Sequence, residues 1–286
     1  MFLVLSICAS SLLFVIFKLF EKHNINTLQA IVINYFAACL FGLYNYNAPI
    51  VVKDVINSNW FIGAIVLGFL FISIFNVMAL TAQRNGISVA SVSSKMSVII
   101  PIIFGLYAYN ESLGIQKLLG IIVALVAVYL ASVKSKSEIL NIKSLWLPTL
   151  LFFGSGIIDT SIKYIETTYL PENGIPIFSA SIFFIAGLIG VSILIIKGPK
   201  KYFNFNFKTI LGGIVLGIAN YYSIYTLLKA LNAEHFESST IFTVNNVAIV
   251  MLSTLIGLLF FKEKLLVKNW IGIALAIIAI VLVTLS

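Results

Sequence analysis

The chain has 286 residues, a net charge of +8 and a mean hydropathy of +1.09, with 60% of its residues hydrophobic and only 10% charged. Soluble domains carry about 25% charged residues, so the composition excludes a water-soluble globule and places the chain in a membrane. The positive balance does not point to nucleic acid: the lysines stand singly or in short groups between apolar segments, and Arg84 is the only arginine, so a set of phosphate-gripping guanidinium forks is missing.

A bilayer core takes about 20 apolar residues per helix. Ten segments qualify: 1–20, 26–46, 59–81, 87–109, 115–133, 145–165, 175–197, 208–231, 238–261 and 267–285. The first has the apolar stretch of a signal peptide but no basic residue before it, and reads as a transmembrane helix. Cys8 and Cys39 fall within the first two segments and read as small hydrophobes. His23 and His235 lie near connections with no second ligand at metal spacing, so no metal or other cofactor is expected. Asn34 in the second segment and Asn76 in the third suit either an interhelical hydrogen bond or the lining of a solute path.

The fourth segment holds the stretch SVSSKMSVIIP, Ser91 to Pro101. Lys95 stands there inside an apolar helix, where an ammonium costs roughly 2.5–3.5 kcal/mol. Ser88, Ser91 and Lys95 form an i, i+3, i+7 stripe on one helix face. One reading has Lys95 snorkelling back toward the interface; the other makes it an anchor for a solute. The serine stripe favours the anchor, because a lipid-facing lysine does not need hydroxyl neighbours. Pro101 removes a backbone hydrogen bond and predicts a kink that would serve as a hinge.

In the sixth segment Asp159 precedes Lys163 by four residues, the favourable order for a helical ion pair and a candidate gate. The eighth carries NYYSIYTLLKA from Asn220, with Tyr221 and Tyr222 too central for an interfacial aromatic belt. Those two tyrosines either pack or line a cavity. In the ninth, Thr243, Asn245 and Asn246 supply further candidates for solute contact.

The chain also repeats itself. ESLGIQKLLGIIVALVAVYL begins at Glu111 and EKLLVKNWIGIALAIIAIVL at Glu263, 152 positions later. In step with the two glutamates run Leu113/Leu265, Gly120/Gly272, Ile121/Ile273, Ala124/Ala276, Ala127/Ala279 and Leu130/Leu282. The same offset sets Ser88, Ser91 and Lys95 against Thr240, Thr243 and Val247, and Ser93 and Ser94 against Asn245 and Asn246. In the first helix of each half, Lys18 and Glu21 match Lys163 and Glu166. Two halves of five spans follow, 1–135 and 144–286. Five is odd, so the second half crosses the membrane in the opposite sense. Such inverted repeats build secondary transporters around a site near the midplane. Glu111 and Glu263 fall in tight turns, where their recurrence predicts a turn or capping role.

With ten spans in two halves, each closing on a Glu-containing turn and a Gly/Ala-rich last helix, the chain resembles the EamA-type branch of the drug/metabolite transporter superfamily over nearly its whole length. The resemblance implies an all-α membrane fold in which helices 1–4 and 6–9 surround a central cavity while helices 5 and 10 pack at the periphery. It implies transport of amino acids, sugars, nucleotide-sugars, phosphorylated metabolites or drugs, and supplies no fixed binding motif. The small residues of helices 5 and 10 suit close packing, including self-association.

The expected function is thus alternating-access transport or facilitated export of a small solute bearing a carboxylate or phosphate. Substrate contacts are expected from Lys95, Ser91, Ser88, Tyr221, Tyr222, Thr243, Asn245 and Asn246. The competing class, a membrane-embedded lipid-modifying enzyme, needs acid or histidine clusters that hold a metal or pyrophosphate, and the sequence has no DxxxD or HxxxH spacing. Of the 18 basic residues, thirteen fall in the connections after helices 1, 3, 5, 7 and 9 and four on the opposite side, Lys95 being the remaining one. Positive-inside logic then predicts both termini outside, whereas the family named above usually keeps both in the cytoplasm. The absence of large loops suits a bacterial inner membrane.

Overall fold

The computed structural model describes residues 1–46, 49–108, 114–132, 142–171, 174–198, 205–231 and 238–284. Every regular element among them is a helix: α1 (Phe2–Lys22), α2 (Thr27–Tyr44), α3 (Val52–Ile56), α4 (Phe61–Arg84), α5 (Ile87–Met96), α6 (Ile99–Ala108), α7 (Ile115–Ser132), α8 (Ile142–Tyr169), α9 (Ile175–Ile196), α10 (Phe207–Leu231), α11 (Ser238–Phe261) and α12 (Val267–Thr284). Apolar runs in lipid have no alternative, because each backbone polar group must find its partner within the segment.

Among the described residues seven helices, α1, α2, α4, α8, α9, α10 and α11, contain stretches long and apolar enough to cross a membrane. Three shorter apolar stretches, Ile87–Pro101, Leu118–Ala131 and Val267–Leu282, fall at the remaining segments anticipated from sequence. The protein is therefore an α-helical membrane protein. Its surface fits: Ile62, Ile65, Val66 and Phe69 on α4 and Leu118, Ile122, Leu125 and Val126 on α7 expose large apolar side chains along helical faces, as contact with acyl chains requires.

Helix ends are set locally. Asn24 takes a left-handed conformation (φ 52°), which Asn tolerates better than most residues. The Ile25 N–H then reaches the Phe20 carbonyl at 2.9 Å, closing α1. Asn26 caps α2 by accepting a hydrogen bond from the Gln29 N–H at 3.2 Å. The short, unburied α3 was not legible as an apolar segment.

The chain forms two compact units, each drawing on both sequence halves: Met1–Leu19, Val77–Ile157 and Tyr222–Ser286 make the first, Phe20–Asn76 and Ile158–Tyr221 the second. In the first, α7 packs along α12 and α5 against α11. Its core joins Ala124, Ala127 and Ala131 to Ile273, Ala276 and Ala279, with Val92, Met96 and Ile99 packed against them. The small residues let backbones touch: a Cβ placed on Gly272 would lie 2.5 Å from the Ala131 amide nitrogen and 2.9 Å from the Ala127 carbonyl oxygen. Asn269 fastens the same contact, donating to the Leu130 and Ala131 carbonyls at 3.1 and 2.9 Å while accepting from the Leu266 N–H. At the other end of the pair, Gln116 donates to the Leu282 carbonyl at 3.3 Å.

The second unit is aromatic. Tyr35, Phe75, Phe71 and Phe183 form a closed ring of contacts with centroids 5.6–6.3 Å apart, and all four are buried. Here α2 packs on α9, with Gly42 against Ala180 and Gly190 against Val32. It also meets α10, where Gly213 and Gly217 face the Ala30 and Asn34 carbonyls at 2.7 Å from an ideal Cβ. Asn220 donates to Asn34 Oδ1 at 3.2 Å, with both residues buried, so Asn34 makes the interhelical bond that was one of its two expected roles. Asn76 instead donates to the Ile72 carbonyl of its own helix.

One expectation is corrected. The segment 87–109 is not one helix but two, α5 and α6, separated at Ser97 and Val98. Pro101 explains the position: its ring cannot donate to the carbonyl four residues earlier, that of Ser97, and crowds it. Ile100 N–H bonds to that carbonyl instead, at 2.9 Å.

Candidate solute site at a broken helix

The break creates two helix ends inside an apolar segment. Lys95 lies in the last turn of α5, where the unsatisfied carbonyls carry partial negative charge that favours a cation. On the other side of the break, the first turn of α6 presents the positive end of its own dipole. Lys95 is half-buried, whereas Ser91, Ser93, Ser94, Met96 and Ser97 around it are buried. An ammonium beside an amide-rich helix start is an arrangement that accepts an anionic group.

The neighbouring hydroxyls are mostly spoken for. Ser91 Oγ donates to the Ser88 carbonyl at 3.0 Å, Ser97 Oγ to the Ser94 carbonyl, and Ser94 Oγ lies 3.4 Å from Ser155 Oγ on α8. Ser88 Oγ bonds Glu263 Oε2 at 3.1 Å. Of the stripe expected to line the path, Ser91 thus bonds within its own helix and Ser88 bonds Glu263. Ser93 behaves differently: its hydroxyl is buried with no hydrogen-bond partner, and so is the side-chain oxygen of Asn245, its counterpart in the repeat. A buried polar atom without a partner costs about 1–3 kcal/mol, a cost that a bound polar group would offset.

Asn245 and Asn246 are both buried on α11. Thr243 is helical, but its side chain lies outside the described residues, as do Glu111 and the side chain of Thr240. Tyr221 is buried and stacks on Phe41 at 6.2 Å within the second unit. Tyr222 is half-buried and meets Tyr225 edge-on at 6.2 Å within the first; Lys229 lies over the Tyr225 ring at 5.4 Å. Adjacent in sequence, the two tyrosines thus belong to different surroundings. Asp159 and Lys163 are both exposed, one helical turn apart on α8.

Sequence reasoning placed Glu263 in a turn but could not name what it holds. Its carboxylate accepts from the Ile87 N–H at 2.6 Å and the Ser88 N–H at 3.4 Å, as well as from the Ser88 hydroxyl. It therefore caps α5 from 175 residues away in the chain, where the carboxylate also meets the positive end of the helix dipole.

The fold and this buried polar chemistry define an α-helical membrane protein with a charged group set within an apolar segment. No protein-family profile matches the chain. It is similar to an uncharacterized protein of Haemophilus influenzae, 27% identical over 97% of this chain and 95% of the relative. It also shares its fold with a protein of known crystal structure, at 14% identity and a TM-score of 0.63, over 99% of this chain and 96% of the other.

Proposed function

We propose that the protein is a secondary transporter or facilitative exporter with ten membrane spans, in which two inverted five-helix halves, 1–135 and 144–286, alternate access to a central site. This reading keeps the resemblance to EamA-type drug/metabolite transporters. The observation that carries it is the pairing of the helices. The contacts α2–α9, α5–α11 and α7–α12 each join a helix to its counterpart in the other half. The carbonyls by which α7 and α12 are fastened correspond as well: Asn269 holds that of Leu130 and Gln116 that of Leu282, and Leu130 and Leu282 are 152 positions apart. A pseudo-two-fold axis in the membrane plane produces such self-pairing, which an enzyme or a structural protein does not require.

In this reading Lys95 lies deep in the membrane. A Cβ on Gly257 would lie 3.3 Å from Ser88 Oγ, so the start of α5 lies beside the last turns of α11. With the two helices antiparallel, seven residues on from Ser88, Lys95 would come to about the level of Val250. In this reading Lys95 and the start of α6 attract the carboxylate or phosphate of a small solute. Asn245 and Asn246 offer it hydrogen bonds, with Tyr222 covering its apolar part. Asp159 and Lys163 are retained as a gate on α8 and the break before Pro101 as a hinge. The outer faces of α7 and α12 are left to lipid or a second copy, in a bacterial inner membrane with the cation-rich face inside.

The test is a thermal-shift panel of carboxylates, phosphate esters, cations and neutral sugars on purified protein, run beside Lys95→Met. The reading expects an anionic class to stabilise the wild type and not the variant. Equal stabilisation of both by the same anions would remove Lys95 from the site.

A further inference from the structure

The ten residues of α5 are attached differently at their two ends. At the C-terminal end the segment stops at a break, where Pro101 withholds a hydrogen bond and the Val98 N–H reaches the Lys95 carbonyl only at 3.5 Å. At the N-terminal end it is held by the Glu263 carboxylate through two backbone N–H groups and one hydroxyl. Between the joint and the holdfast rides Lys95.

The holdfast is a built niche. Gly86 turns the chain into α5 at φ 103°, a conformation L-residues rarely adopt, and a Cβ there would lie 2.9 Å from Glu263 Oε1. A Cβ on Gly257 would lie 2.7 Å from Oε2. Two glycines, one in the turn before α5 and one on α11, thus leave the space that the carboxylate occupies. Lys262, just before it, takes a left-handed conformation at φ 52°, which an L-residue with a side chain adopts at a cost. That turn delivers Glu263 to the start of α5, and the Glu263 N–H bonds back to the Gly257 carbonyl at 3.1 Å. Glu263 itself is half-buried, so water can take over its hydrogen bonds when the contact opens. A cap sealed from solvent would lack that exchange partner.

We infer that Glu263 is a releasable latch: it pins the start of α5 on the face that carries Arg84 and Lys262, and its release lets α5 pivot at the break before Pro101, moving Lys95. The inference rests on the transporter reading and adds to it the residue that holds one gate. Glu263 is in these terms a positioning residue that acts on the site through α5. Gly86 and Gly257 form the receptacle.

The test needs no known solute. In a background carrying Cys8→Ala and Cys39→Ala, a Ser91→Cys reporter lies one turn inside the latch and is labelled with a membrane-impermeant maleimide. Right-side-out and inverted vesicles expose the two faces in turn. Glu263→Gln keeps the size of the side chain and removes the charge-assisted hydrogen bonds. The latch predicts labelling about tenfold faster from the Arg84 face, the scale of one lost charge-assisted bond, with slower labelling from the opposite face. Unchanged labelling from both faces, whatever happens to thermal stability, overturns the latch and leaves a static helix cap. If Glu263→Gln fails to insert, Ser88→Ala removes only the hydroxyl bond, and a smaller rise on the same face is expected; no rise overturns the proposal. Failure of the transporter reading has a different signature: the reporter with Glu263 intact is then labelled from one face only and does not respond to any solute in the panel.

Discussion

Gly272→Ala probes the closest helix contact of the first unit. The added methyl would sit 2.5 Å from the Ala131 nitrogen and 3.0 Å from its Cα, both backbone atoms that no rotamer change can move. Restoring ordinary contact requires α12 to back away from α7 by about 1 Å, against an interior that tolerates little expansion. Overpacking of this kind costs about 1–3 kcal/mol. The shift also stretches the two hydrogen bonds of Asn269, three residues away, each worth about 0.5–1.5 kcal/mol. Alanine regains up to about 1 kcal/mol of helix propensity over glycine. The balance is a loss of about 1–3 kcal/mol, which for a chain of this size lowers the unfolding temperature by roughly 5 °C. Thermal unfolding in detergent, followed by a thiol-reactive dye or by a fluorescent fusion, reads this directly. Gly114→Ala is the control, since no atom lies within 4 Å of a Cβ there, and it should melt with the wild type. Under the repeat, Gly120→Ala should behave like Gly272→Ala. A Gly272→Ala protein that melts at or above the wild-type temperature would refute the close-contact account.

Asn269→Ala should destabilise more than Gln116→Ala, because it removes a buried amide with three hydrogen bonds rather than an exposed one with a single bond; the same unfolding assay decides. Asn34→Ala and Asn220→Ala should each cost about 1–3 kcal/mol. Their double variant should cost less than the sum, because the two amides share one bond, and a strictly additive pair would contradict the contact. Cys8 is exposed and Cys39 buried, so a small permeant maleimide should label the folded protein fast at Cys8 alone; rapid labelling that survives Cys8→Ala would contradict the burial of Cys39.

The helices were legible to within a few residues because the bilayer asks for about 20 apolar residues in a row and the chain interrupts those runs cleanly. The fifth segment, anticipated at 115–133, is α7 at Ile115–Ser132, and the ninth, anticipated at 238–261, is α11 at Ser238–Phe261. Pro101 announced a distortion, and the rule that proline spoils the carbonyl four residues earlier puts the break at Ser97; the depth of the break, which separates two helices rather than bending one, was not written in any single residue. Long-range partners were beyond a local reading. Asn34 finds Asn220 at a separation of 186 residues and Glu263 finds Ser88 at 175, and helical periodicity speaks only of neighbours three and four apart. The hydroxyl stripe shows the opposite risk. Ser88 and Ser91 spend hydroxyl bonds on the protein. The more telling atoms are the buried oxygens of Ser93 and Asn245, whose want of partners no sequence pattern displays.

The central claim is that a solute crosses the membrane past Lys95. Reconstituted protein loaded with the anionic solute that gives the largest thermal shift, and challenged with the same labelled solute outside, tests it by counterflow. The account predicts transient accumulation of label with the wild type, and loss of at least nine-tenths of it with Lys95→Met, the factor of about ten that a charge-assisted contact commands. Equal counterflow by the two proteins would contradict the claim.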